Sequence, residues 1–174
     1  MKKFIAGILF TVFILIIAGI IYILSGSYDV SQLSPHGPIA KWVVEKTMMH
    51  SIKKRIKNIV VPDLNDTAKI AVGFRHYDEM CVVCHLAPGM KESEIGKGLY
   101  PEPPEFTNKE NIPDARGGFW IIKNGIKMTG MPAFSPTHKE EEIWAIVAFL
   151  VNRMPGLSEA DYNSMNESLP HEEE

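Results

Sequence analysis

The stretch Gly73-Phe74-Arg75-His76-Tyr77-Asp78-Glu79-Met80-Cys81-Val82-Val83-Cys84-His85 decides how this chain folds. Its end, Cys81-Val82-Val83-Cys84-His85, has the C-x-x-C-H spacing that attaches a c-type haem. Two thiols three residues apart can bond the two vinyl-derived carbons on one edge of a porphyrin. The histidine that follows at once is carried over the ring face, where an imidazole nitrogen can bind the iron. The chain has only two cysteines, and both fall in this motif. A thioredoxin-type dithiol needs a strand–turn–helix context that is missing here, and it leaves His85 unexplained. Half a zinc site needs a second Cys or His pair at ligand spacing, and the sequence offers none.

Upstream of the motif, Ile70, Phe74, Tyr77 and Cys81 recur at i, i+4, i+7 and i+11, the stripe of a helix capped near Asn65 or Asp66. Downstream, Leu86 to Asp114 is rich in Gly and Pro and reads as an irregular loop. A short helix over Gly117–Lys123 and a second Gly/Pro-rich loop, Asn124 to Thr137, follow. The last core helix spans Lys139–Arg153, with acids in its first turn, a base in its last and a buried stripe of Ile143, Trp144, Val147, Leu150 and Val151. The acidic tail over 157–174 reads as disordered. No repeat and no strand-rich region is visible, so the fold class is all-α.

The N-terminus has a different composition. Phe4 to Leu24 gives 21 consecutive residues without a formal charge, and as a helix they cover roughly 30 Å, the thickness of a bilayer core. Signal-peptide cores run to about 7–15 residues before a small-x-small site. This run is longer, and its exit, Tyr22-Ile23-Leu24-Ser25-Gly26-Ser27, offers only weak cleavage candidates, so residues 1–24 read as a retained anchor. Lys2 and Lys3 precede it, and no Lys or Arg follows before Ala40, which keeps the N-terminus inside and exports the remainder. Residues 25–37 form a Ser/Gly/Pro-containing linker. Gly37-Pro38 opens an amphipathic helix assigned to 38–61, with Ile39, Trp42, Val43, Met49, Ile52 and Ile56 as its stripe, interrupted by Lys46. Residues 62–156 are left as the haem domain. Composition supports a folded domain, with 45% hydrophobic and 22% charged residues, and a net charge of −3 argues against nucleic acid as a partner.

With these residues in view, the chain resembles the class I c-type cytochromes over roughly Pro62 to Pro155. Gly73-x-x-x-Tyr77-x-x-x-Cys81 matches the family's first helix, where a glycine and an aromatic pack against the last helix. The segment Phe119-Trp120-Ile121-Ile122-Lys123-Asn124-Gly125-Ile126-Lys127-Met128-Thr129-Gly130-Met131-Pro132-Ala133-Phe134 is similar to that of single-haem c domains attached to bacterial respiratory complexes. The resemblance implies one haem c held covalently by Cys81 and Cys84, with His85 and Met131 as axial ligands and a proline carbonyl (Pro103 or Pro104, with Pro88 as an alternative) orienting the histidine.

Other sixth ligands are conceivable from the residues alone. Met128 stands three residues before Met131, and His36, His50, His76 and His138 could each give bis-histidine ligation, although solvated or packed histidine is the default for all four. Trp120 and Tyr100 either line the haem or pack in the core. Lys53-Lys54-Arg55 with Lys57 is a basic cluster, read first as a solvated face. No Ser/His/Asp set, paired acids or phosphate-binding glycines appear in the sequence. The expectation is a non-enzymatic, membrane-anchored mono-haem electron carrier on the periplasmic face, with protein redox partners in a respiratory chain. The alternative is a haem-based ligand sensor with a displaceable sixth ligand.

Overall fold

The computed structural model describes residues 1–168, and within them the chain is helical with no strand. It divides into two compact units, Met1–Pro35 and the remainder from His36. The first is built on α1 (Lys2–Leu24), a helix long and apolar enough to cross a membrane, with none of its side chains buried. It ends where Ser25 donates its N–H to Ile21 O and its hydroxyl to Tyr22 O, followed by Gly26 at φ +67°.

The second unit begins with α2 (Pro38–Arg55), whose first residue is the proline expected at a helix start. The helix ends at Arg55, before the assigned limit of 61. The expected stripe also divides. Ile52 and Ile56 are half-buried, whereas Ile39, Trp42, Val43 and Met49 are exposed, and Val44 and Met48 take the inner positions instead. The helix carries apolar side chains on two opposite faces, so a single best stripe drawn through its sequence mixes the two.

The core is made by α3 (Thr67–His76), α6 (Ala115–Asn124) and α7 (Glu140–Asn152). Asp66 caps α3 by accepting from Ala68 N at 2.9 Å, and Asp114 caps α6 by accepting from Arg116 N and Gly117 N at 3.1 and 3.2 Å. Glu142 reaches back to the Lys139 N–H at 2.7 Å, closing the start of α7. Every residue of α7 from Ile143 to Leu150 is buried, because α3 and α6 both pack on it. The α3–α7 crossing is closest at Gly73, where an added Cβ would lie 1.8 Å from Ala145 O. Phe74 and Tyr77 both meet Phe149 at ring-centroid distances of 5.4 Å, and Phe119 stacks on Trp144 at 4.0 Å. Helix α2 lies against α6.

Between α3 and α7 the chain forms a π-turn (Tyr77–Cys81), α4 (Val82–His85), α5 (Glu94–Lys97) and a single 3₁₀ turn (Lys109–Asn111). The tail expected to be disordered from 157 instead forms α8 (Glu159–Ser168). Its Tyr162 is 3% exposed, lies edge-on to Phe74 at 5.0 Å and donates to Asp78 Oδ1 at 2.7 Å. Tyr162, together with Met165 and Leu157, which pack half-buried against the same core, holds this otherwise polar helix in place. Residues 169–174 lie outside the described part.

Candidate haem-attachment site

Cys81, Cys84 and His85 leave α3 through the π-turn, in which Val82 N–H reaches Tyr77 O, five residues back. Such turns interrupt α-helices mostly where function requires it. The four stripe residues Ile70, Phe74, Tyr77 and Cys81 are all buried, as the helical spacing requires. Beyond the motif, Leu86 adopts φ +63°, ψ 150°, a conformation that costs a non-glycine residue roughly 1–3 kcal/mol. The Tyr77 hydroxyl holds it there, donating to Leu86 O at 2.7 Å, with His85 O at 3.4 Å. The backbone that turns away from the histidine is thus pinned by a side chain of the preceding turn.

The imidazole of His85 is fixed by its Nδ1, 2.8 Å from Pro104 O. A carbonyl can only accept, so Nδ1 carries the proton and Nε2 keeps its lone pair. Of the three candidate prolines, Pro104 is the acceptor. Burial lowers the pKa of His85, opposed by that hydrogen bond, and so favours the neutral ring that a metal needs. Phe106 stacks on the ring at 4.4 Å with planes 15° apart. Sequence reasoning missed Phe106 because it sits in the Gly/Pro-rich loop, where no periodicity marks a packing residue.

Cys81 is buried and Cys84 half-buried, and no disulfide joins them. Burial, with a smaller contribution from Cys84, pushes the Cys81 thiol up to about 12, and burial raises Cys84 as well. A nucleophilic dithiol needs the opposite shift. A neutral thioether carries no charge to desolvate, so this environment suits thioether-linked haem.

Met131 comes from the loop after α6. Gly125 ends that helix at φ +63°, and an added Cβ would stand 2.7–2.8 Å from the Met131–Ala133 backbone. Only a glycine lets the loop fold back so closely. The return is tied by Ile126 N to Met131 O at 3.2 Å and Phe134 N to Ile122 O at 3.1 Å. Inside it the Thr129 hydroxyl donates to Ile126 O at 2.8 Å and accepts from Met131 N at 3.1 Å. Met131 packs, half-buried, against the core cluster that contains Cys81, whereas Met128 is 71% exposed at φ +62°.

The four histidines considered as sixth ligands lie elsewhere. His50 is exposed on α2, His36 meets the Tyr100 ring edge-on at 5.3 Å, and His76 meets His138 edge-on at 5.4 Å. Tyr100 therefore pairs with His36, and Trp120 is half-buried on α6. Two thiols at i and i+3, one imidazole with a free Nε2 and one loop-held thioether fit an iron porphyrin. No charged side chain is buried among the described residues.

Residues 68–150 match the family described as cytochrome c oxidase, cbb3-type, subunit III. These residues form a c-type cytochrome domain. Such a domain implies haem c and electron transfer. Among solved structures, the chain is similar to a chain of the reducing HAO-like protein complex of Kuenenia stuttgartiensis. The identity is 19%, the TM-score 0.45, and the match covers 54% of this chain and 49% of that one. The chain thus spans about half of that chain's length. No curated protein matches the chain.

Proposed function

We propose that this chain is a membrane-anchored mono-haem cytochrome c that passes single electrons on the periplasmic face of the cytoplasmic membrane. It serves as a tethered shuttle or as a non-catalytic subunit of a respiratory complex, with membrane proteins as redox partners. In this reading Cys81 and Cys84 attach the haem, and His85 Nε2 and Met131 Sδ are the axial donors. The observation that carries it is the Pro104 carbonyl, which commits His85 Nδ1 and leaves Nε2 as the one nitrogen available to iron. When bound, haem c supplies a one-electron couple at its iron.

The chain's own residues then set how that couple behaves. Pro104 and Phe106 fix the plane of the His85 ring, so it does not reorient between oxidation states. Thr129 and Gly125 fix the loop that carries Met131. A thioether ligand favours the reduced state and raises the potential. Donors held in place by the loops around them would favour transfer without bond making, which is the reason to read a carrier and not a sensor. The apolar run of α1, preceded by Lys2 and Lys3, supports an anchor with the haem domain exported.

The test is the optical spectrum of the full chain made with haem-attachment machinery, ferric and then reduced, with and without carbon monoxide. A c-type spectrum with the far-red iron–methionine band and no carbon monoxide shift is expected. Met131→Ala removes the band and Met128→Ala leaves it. Ready carbon monoxide binding by the unmodified protein sinks the carrier reading and favours a ligand sensor.

A further inference from the structure

Helix α2 has an apolar face with no partner among the described residues. Counting 100° per residue, Ile39, Trp42, Val43 and Met49 share an arc of roughly 120° with Lys46, His50 and Lys53. All seven are exposed, Ile39 at 79% and Trp42 at 61%. The opposite arc, with Val44, Met48 and Ile52, is the half-buried side. Tryptophan at this exposure is otherwise uncommon, because its ring gains so much from burial.

The charge around this face is of one sign. Glu45, the only acid of the helix, pairs with Lys41 at 3.8 Å, and Arg55 donates to Ser51. Lys46, Lys53 and Lys54 form no ion pair among the described residues, and Trp42, Lys46, His50 and Lys54 line a shallow groove. Residues 36–62 hold six bases and one acid, a net +5, whereas 63–174 hold ten bases and nineteen acids, a net −9. An anionic surface therefore repels the cytochrome domain and attracts α2.

We infer that the outer face of α2 rests on the anionic phospholipid surface of the membrane that holds α1. The inference rests on the anchored reading of α1. Only 13 residues, 25–37, join the two helices, so α2 begins within roughly 40 Å of contour from the end of α1. Tryptophan and aliphatic side chains beside lysines are the composition of interfacial helices, whose lysine stems lie along the apolar surface with their ammonium groups at the headgroups. The cores of protein–protein interfaces are depleted in lysine, which separates the lipid occupant from a protein one. Adsorption through α2 holds the acidic domain in one orientation above the bilayer and restricts where its haem can meet a partner.

The experiment is hydroxyl-radical footprinting of the full holoprotein in vesicles of phosphatidylglycerol and phosphatidylcholine in equal parts, and in phosphatidylcholine alone. A free reporter peptide calibrates the dose. Oxidation of Trp42 and Met49 falls several-fold in the anionic vesicles. Each lysine removed weakens adsorption about five-fold, so the triple variant K46Q/K53Q/K54Q regains the oxidation seen in phosphatidylcholine with an unchanged haem spectrum. Equal oxidation in both vesicles overturns the inference. Protection seen only in native membranes, with their other proteins present, also overturns it and assigns the face to a protein partner. The anchor is read separately, by flotation after an alkaline carbonate wash. A chain that no longer floats overturns the anchor, while protection measured before the wash still reads α2.

Discussion

Replacing Gly73 by alanine tests the packing on which the domain depends. In a solvent-exposed helix this exchange gains about 0.5–1 kcal/mol, because alanine has less backbone freedom to lose on folding. Here the added methyl meets Ala145 O at 1.8 Å, Ala145 C at 2.3 Å and Ile146 N at 2.9 Å. Carbon and carbonyl oxygen come no closer than about 3.3 Å in comfortable contact, so α3 must retreat from α7 by roughly 1.5 Å. A gap of even about 1 Å forfeits up to half of the dispersion energy across an interface. The Phe74–Phe149 and Tyr77–Phe149 contacts lie on this interface, each worth about 0.5–1.5 kcal/mol beyond its buried area. Together with overpacking of about 1–3 kcal/mol, the net loss comes to about 3 kcal/mol after the helix-propensity gain. Urea unfolding of the holoprotein should show a midpoint lowered by roughly 1.5 M at unchanged slope. The obstructing atoms are backbone, so Ala145→Gly in the same chain does not rescue. An unchanged midpoint in Gly73→Ala, or recovery in the double variant, refutes the close-approach argument.

Three further outcomes follow from other contacts. Thr129→Val removes both hydrogen bonds that hold the Met131 turn, about 1.5 kcal/mol, so carbon monoxide should bind the reduced protein roughly ten-fold more readily, and Thr129→Ser should restore resistance. Tyr162→Phe should cost about 1 kcal/mol in urea unfolding through the lost bond to Asp78, and Tyr162→Ala about 3–5 kcal/mol by removing the ring from Phe74 as well. If the two variants are equally stable, α8 is not held by that ring. Burial, and then the bond to Asp78, raise the pKa of Tyr162 in the folded state. The folded chain therefore keeps this proton at a pH where the unfolded chain releases it. Its contribution is complete below pH about 10 and declines above it. Stability measured between pH 8 and 11 should fall less steeply in Tyr162→Phe than in the unmodified protein.

How much could be read from the sequence follows from how each element is stabilised. The Ile70, Phe74, Tyr77 and Cys81 stripe was legible because those residues face one core, and all four are buried. Helix α7 was legible for the same reason, although Val151 of the expected stripe is only half-buried and Ala145, Ile146, Ala148 and Phe149 are buried too, since α7 is covered on more than one side. In α2 the reading failed in register, because Val44, Met48 and Ile52 face inward while Ile39, Trp42, Val43 and Met49 face out, and a single stripe cannot represent both sets. Helix α8 escaped because it is polar, with Tyr162 its only buried residue. A local signal did exist: Ser158 accepts from Asp161 N at 3.1 Å and donates to Asp161 Oδ2 at 2.6 Å, a Ser-x-x-acid start readable from composition. At the site, the C-x-x-C-H spacing carries its meaning in five residues. The partners of His85 and Met131 are backbone carbonyls and loop side chains, whose positions depend on the three-dimensional path of Gly/Pro-rich segments.

The hydrogen bond from Asn152 Nδ2 to Leu64 O, 2.7 Å long, joins residues 88 apart in sequence. It has a mechanical consequence. A pull on the chain from its N-terminal side first loads the His36–Tyr100 contact and α2, which lies against α6. The load then reaches Leu64, which Asn152 clasps to the end of α7, next to the Asp63 carbonyl that Lys69 grips at 2.9 Å. Force entering there passes through Asn152 into α7, the helix on which α3 packs. Load that reaches Leu64 is thus passed to α7, which is buried from Ile143 to Leu150.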